Sequence, residues 1–305
     1  MFKKIVVIEP INMLDVHKKM LNDYANEVIF YDSIPSSDQE KLKRIDDADC
    51  VLLSYTSSID AYVINNAPSL KYIGMCCSLY SKESANVDIS AAELKGITVN
   101  GIRDYGDAGV AEYVIYELVK FLEGYDGLKW DNYAHEITNL KCGVVGLGTS
   151  GSLIAKALSF FNADVSYYSR TRKENLEKEY GFKYKDLNTL CRESEAIFLA
   201  LNKNVFLLTD EQFKLMKGKR ILFNTSIGPG FDTKALKEWL KDENHFFFGD
   251  TLATIGDEEL WKLNNTYTIN RSAGGKSYEA YYRLGEKVLN NIKEYLNNGL
   301  NAWLF

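Results

Sequence analysis

Histidine is scarce in this chain: His17, His135 and His245 are the only three in 305 residues. Few side chains that titrate near neutrality are therefore at hand for acid–base work. All three are expected on the surface. The five cysteines, Cys50, Cys76, Cys77, Cys142 and Cys191, have no metal-binding or redox spacing, so free thiols of a reducing cytoplasm are expected, and no metal. Adjacent Cys76 and Cys77 should face opposite sides of a strand. No window approaches the roughly 18 apolar residues of a membrane span. The opening MFKKIVVIEP is too short in its apolar part for a leader and reads as a first buried strand. No basic stripe marks a nucleic-acid footprint, and the net charge of −6 points the same way. A small anionic ligand is not excluded, because local groups decide its binding. Low-complexity segments and repeats are also lacking.

What is present is alternation. KIVVIEP, EVIFYD, CVLLSY, LKYIGMCC and GITVNGI read as strands separated by helix-compatible stretches. A second series follows: LKCGVVGLG, ADVSYYSR, EAIFLAL, RILFNTS, HFFFGD and YTIN. Such order predicts α/β architecture with two doubly wound parallel sheets, and the length suits two domains. The boundary is placed at the RDYG stretch, ahead of the helical GVAEYVIYELVKFLEG. The amphipathic segment from Lys276 on, entered through Gly274-Gly275, is expected to return to the first domain. The expected division is 1–102 with 276–305, and 103–275.

The strongest local signal is CGVVGLGTSGSLIAKAL, residues 142–158. Gly146, Gly148 and Gly151 form G-x-G-x-x-G between a strand and a helix, the dinucleotide fingerprint. Backbone amides around Thr149 and Ser150 and the helix N-terminus favour a diphosphate there. NAD sites usually end the next strand in Asp or Glu, which binds the ribose 2′-hydroxyl. Here that place falls on Ser169, followed by Arg170, Thr171 and Arg172. A serine and two arginines suit a 2′-phosphate, each charge-assisted hydrogen bond being worth about 1.5–3 kcal/mol. The other reading is a solvated basic turn. NADP(H) is expected in preference to NAD.

With these motifs in hand, the chain resembles the D-2-hydroxyacid dehydrogenase family over nearly its whole length. The matching segments are APSLKYIG with NVDISAAELKGITVNG, then GVAEYVI, KCGVVGLGTSG, LTDEQFKLMKGKRILFNTSIG and FFFGD. The resemblance implies a Rossmann cofactor domain inserted into a flavodoxin-like substrate domain, in a cytoplasmic homodimer acting on a small molecule. It also implies that Ser226 and Asp250 lie beside the cofactor. The family's catalytic groups are missing. Its substrate-gripping arginine aligns with Ile227, its glutamate with the neighbourhood of Ile255, and its histidine with Ser272. The glycine turn before N-V-D is replaced by CCSLYSKESANVD. Tyr80, Arg103, Tyr105, Arg271, Ser272 and Lys276 are the replacement candidates. Arg103 and Tyr105 can equally serve as a hinge ion pair and a packed tyrosine, and Arg271, Ser272 and Lys276 carry the same ambiguity. Two functions follow: an NADP(H)-dependent oxidoreductase acting on a carbonyl or imine with a rebuilt site, or a catalytically silent NAD(P)-binding sensor or interaction module.

Overall fold

The computed structural model describes residues 1–127, 129–203 and 205–298. It divides into one unit comprising Met1–Tyr105 and the segment from Lys276 on, and a second comprising Gly106–Gly275.

In the first unit, β1 (Phe2–Val7), β2 (Ala25–Phe30), β3 (Cys50–Leu53), β4 (Tyr72–Ser78) and β5 (Thr98–Ile102) form a parallel sheet in the order β2-β1-β3-β4-β5. This is the flavodoxin-like order. Strands β1, β3 and β4 are central and buried on both faces, which is why they read as unbroken apolar runs. The period of two sends Val6, Val51, Met75 and Cys77 into one core. Ile5, Cys50, Leu52 and Cys76 enter the other. Helices α1 (Asp15–Met20), α2 (Asp38–Ile45), α3 (Ala61–Asn66) and α4 (Ile89–Leu94) come from within the first segment. Ser37, Asp60 and Asp88 cap the last three by accepting amides of their first turns. The long C-terminal helix (Tyr278–Asn298) carries Leu284, Val288, Leu289 and Ile292 on one stripe, which closes the second core.

That stripe explains a correction. His17 is buried, only 1% exposed, not on the surface. Its ring lies where a β-carbon on Gly285 of the C-terminal helix would sit, 2.4 Å from Cγ, and its Nε2 is 3.0 Å from Glu286 Oε1. His245 is buried too: its ring stacks on Trp239 at 4.2 Å and Nδ1 donates to the Trp239 carbonyl at 2.6 Å. Helix packing, invisible to local polarity, took both rings inside. His135 remains partly exposed.

In the second unit, α5 (Asp107–Glu123) ends at Gly124 in the left-handed conformation, φ 75°. Then follow β6 (Lys141–Val145), α6 (Thr149–Phe160), β7 (Asp164–Tyr168), α7 (Glu174–Tyr180), β8 (Lys183–Tyr184), α8 (Leu187–Glu193), β9 (Ala196–Leu199), α9 (Asp210–Leu215), β10 (Arg220–Asn224), α10 (Thr233–Trp239), β11 (His245–Gly249) and β12 (Thr266–Thr268). The C-terminal helix of the first unit is α11. The strands form a parallel sheet in the order β12-β11-β10-β9-β6-β7-β8. Strand order reverses between β6 and β9, the switch point at which doubly wound sheets take their ligands. Strand β8 escapes the sequence reading because it is two exposed residues long. The sequence segments entering and leaving this unit run side by side: a β-carbon on Gly106 would lie 2.2 Å from the Gly275 nitrogen.

Candidate cofactor site

The three fingerprint glycines are required for three different reasons. Gly146 follows β6 with φ +96°, and a β-carbon there would meet the Ala200 carbonyl oxygen at 2.5 Å. Gly151, in the first turn of α6, would place a β-carbon 1.9 Å from the Gly146 carbonyl oxygen. Gly148, the N-cap of α6, has nothing within 4 Å of the corresponding point. Two glycines thus answer to backbone packing, and the third keeps open a space bordered by helix amides. A helix N-terminus favours negative charge in such a space. Thr149 opens α6, and the Ser150 hydroxyl donates to Asp107 in the first turn of α5.

Beyond β7, the Ser169 hydroxyl donates to the Thr171 carbonyl, which tightens the turn. Arg170 is exposed and makes no ion pair among the described residues. Arg172 is held differently. Its Nε and Nη2 donate to the two carboxylate oxygens of Glu177 at 2.8 and 2.7 Å. The buried Tyr167 adds its hydroxyl to the same carboxylate at 2.6 Å and accepts the Lys173 amide at 2.7 Å. Glu177 was not singled out from sequence. Its signal, an acid in the first half of a helix five residues after an arginine, is common on solvated helices.

The loop after β10 is organised by Asn224, which is fully buried. Its side-chain amide donates to the carbonyls of Gly228 at 3.0 Å and Thr254 at 2.8 Å, and its oxygen accepts the Ser226 amide at 3.0 Å. The Ser226 hydroxyl accepts the Leu201 amide at 2.9 Å. These bonds determine the path of the loop and leave Ile227 67% exposed. Ile255, where the family resemblance expects a carboxylate, lies fully buried in an apolar core. Nearby Asp257 caps a helical turn, and Glu259 pairs with Lys262.

Asp250 closes β11 and is buried. Its Oδ2 accepts the Ala273 amide and its carbonyl the Arg271 amide, both at 2.8 Å. Burial pushes its carboxyl above the usual range, against the backbone amides that lower it. The Ser272 hydroxyl donates to the Gly274 carbonyl at 2.8 Å, and Arg271 is exposed. Asp250 thus pins the strap that carries Arg271 and Ser272. In the first unit, Arg103 donates through Nε to the Leu79 carbonyl at 2.7 Å and through Nη2 to the Tyr80 carbonyl at 2.8 Å, and lies 5.4 Å from the Tyr80 ring centre. Tyr105 is half-buried, and burial pushes its phenol up. Lys276 is exposed.

Glu9 went unnoticed in the sequence, though it stands alone at the end of the first apolar run. It is fully buried and accepts the amides of Ser54 and Ser57 at 2.8 and 3.1 Å and the hydroxyls of Thr56 and Ser57 at 2.6 and 2.7 Å. Asn86, the Asn of N-V-D, donates to the Ser54 and Ser57 carbonyls of the same loop. Among the described residues no cluster of His, Cys, Asp or Glu could hold a metal ion, and no helix is long and apolar enough to cross a membrane.

Known proteins bear on this geometry. Residues 118–269 match the NAD binding domain of D-isomer specific 2-hydroxyacid dehydrogenases. The glyoxylate reductase of Pyrococcus horikoshii is 29% identical over 303 residues, covering 91% of this chain and 89% of its own. That of Thermococcus litoralis is 30% identical over 276 residues, covering 82% and 81%. Among solved structures, an acyclic imino acid reductase (Bsp5) in complex with NADPH and D-Arg superposes with a TM-score of 0.78 at 25% identity, covering 96% of this chain and 97% of that one. Relatives named as reductases and dehydrogenases do not favour the silent binding module. A likeness that runs through both units makes this chain a member of the D-isomer specific 2-hydroxyacid dehydrogenase family and an oxidoreductase of that kind, with an NAD(P)-binding domain.

Proposed function

We propose that the protein uses NADP(H) in preference to NAD to reduce a carbonyl or imine of a small molecule, through an active site that departs from the family pattern. The turn after β7 carries this reading: Ser169 stands where NAD sites place a carboxylate, and the exposed Arg170 follows it. Gly146, Gly148, Thr149, Ser150 and Gly151 would hold the diphosphate, and Ser169, Arg170, Thr171 and Arg172 the 2′-phosphate. Ser226 and Asp250 would border the nicotinamide end. When bound, NADPH supplies the hydride.

An exposed isoleucine at position 227 cannot grip a carboxylate as a guanidinium does, so a 2-oxo acid is disfavoured as the substrate. The imino acid reductase among the structural relatives supports an imine, and the NADPH in its complex supports the cofactor choice. The rebuilt site would be drawn from Tyr80, Arg103, Tyr105, Arg271, Ser272 and Lys276. We place the enzyme in the cytoplasm as a homodimer, by analogy with the family.

The test is a titration with NADPH and NADH followed by a screen of 2-oxo acids, aldehydes and cyclic imines for loss of reduced nicotinamide. Tight NADPH binding with turnover of an imine or carbonyl is the expected result, and absence of NADPH binding overturns it. Ser169→Asp should weaken NADPH relative to NADH at least tenfold by setting a carboxylate against the 2′-phosphate. An unchanged ratio would refute the assignment.

A further inference from the structure

We infer that Glu177 is an internal competitor for Arg172, an anion of the protein itself that a cofactor 2′-phosphate must displace and that thereby limits the preference for the phosphorylated cofactor. The inference rests on the reading of the Ser169–Arg172 turn as the 2′-phosphate end.

Arg172 and Glu177 meet through two parallel N–H···O bonds of 2.8 and 2.7 Å. A guanidinium offers the same fork to a phosphate, so carboxylate and phosphate contend for the same donors. Glu177 is not a loose surface partner. Its side chain is 15% exposed, and Oε1 also receives the Tyr167 hydroxyl at 2.6 Å. Tyr167 is itself fixed: its ring is fully buried and its oxygen accepts the Lys173 amide. The carboxyl is held down to about 2, chiefly by Arg172 and then by Tyr167, so the competing charge is present throughout the physiological pH range. Two residues earlier, Arg170 is exposed and makes no ion pair among the described residues. The turn therefore presents one open cation and one held cation. A 2′-phosphate gains the full attraction of the first, but only the difference between two anions at the second.

The probes are adenosine 2′,5′-bisphosphate and adenosine 5′-monophosphate, which differ in the 2′-phosphate alone, and the readout is their affinity by calorimetry. Glu177→Gln keeps an acceptor for Tyr167 and removes the charge. It should tighten the bisphosphate about tenfold and leave the monophosphate unchanged. In an Arg172→Ala background the same substitution should have no selective effect, since the contested group is gone. Equal bisphosphate affinity in wild type and Glu177→Gln, with Arg170→Ala still weakening it, would overturn the role of Glu177 and leave the 2′-phosphate site standing. A gain that persists in the Arg172→Ala background would also overturn it, as general electrostatics. If Arg170→Ala and Ser169→Asp both leave the bisphosphate affinity at its wild-type value, the cofactor reading itself falls. Melting temperatures of each variant separate loss of fold from loss of binding.

Discussion

Single atoms decide the roles of the fingerprint glycines. Gly148→Ala places its methyl in open space at φ −81°, so the variant should melt like the wild type yet bind NADPH far more weakly. Gly151→Ala drives a methyl into the Gly146 carbonyl and should lose about 1–3 kcal/mol of stability in denaturant unfolding. Equal melting and binding losses in both variants would contradict this split. Asp250 offers a test by pH. Its folded pKa is raised, so its neutral form is favoured in the folded chain. The associated stability is present below the unfolded value near 3.8 and is lost as pH rises through the folded one. Asp250→Asn, which keeps an acceptor for Ala273, should therefore gain on the wild type in melting temperature between pH 4 and 7. A gap that narrows over that range would rule out desolvation as the cause.

At the scale of elements, α11 shows how one glycine sets a helix contact. Gly285 lies against the His17 ring of α1, and an added methyl would come within 2.4 Å of it. Gly285→Ala should cost about 1–3 kcal/mol even though alanine is the better helix former by about 1 kcal/mol. A neutral or stabilising result in urea unfolding would mean that α1 moves aside freely. The β10 loop makes a complementary point. Asn224, the two glycines after it and the uncharged Ile227 were legible in the loop leaving the strand. What the side-chain amide of Asn224 does, joining Gly228 to Thr254 from thirty residues away, was not.

Across the whole molecule the five thiols are buried. Desolvation pushes Cys77 and Cys191 up to about 12, and Cys50, Cys76 and Cys142 upward as well. Because the thiolate is the reactive form, none should react with a thiol reagent at pH 8 in the folded protein, and all five should react in guanidinium. Rapid labelling of the native chain would show an opening of one of the cores.

The residues alone determined the parallel α/β class, the fingerprint and the basic turn after β7. Each of these is a local pattern: an apolar run, a glycine spacing, a side-chain type at an aligned place. Tertiary structure decided what lies far apart in sequence or depends on competition between partners. His17 and His245 went inside because of helices that polarity does not reveal. Glu9 became the anchor of the 54–57 loop because the sheet brought β1 and β3 together. Arg172, a cation by sequence, found its anion within the protein before any ligand could offer one, because the start of α7 returns Glu177 to the end of β7.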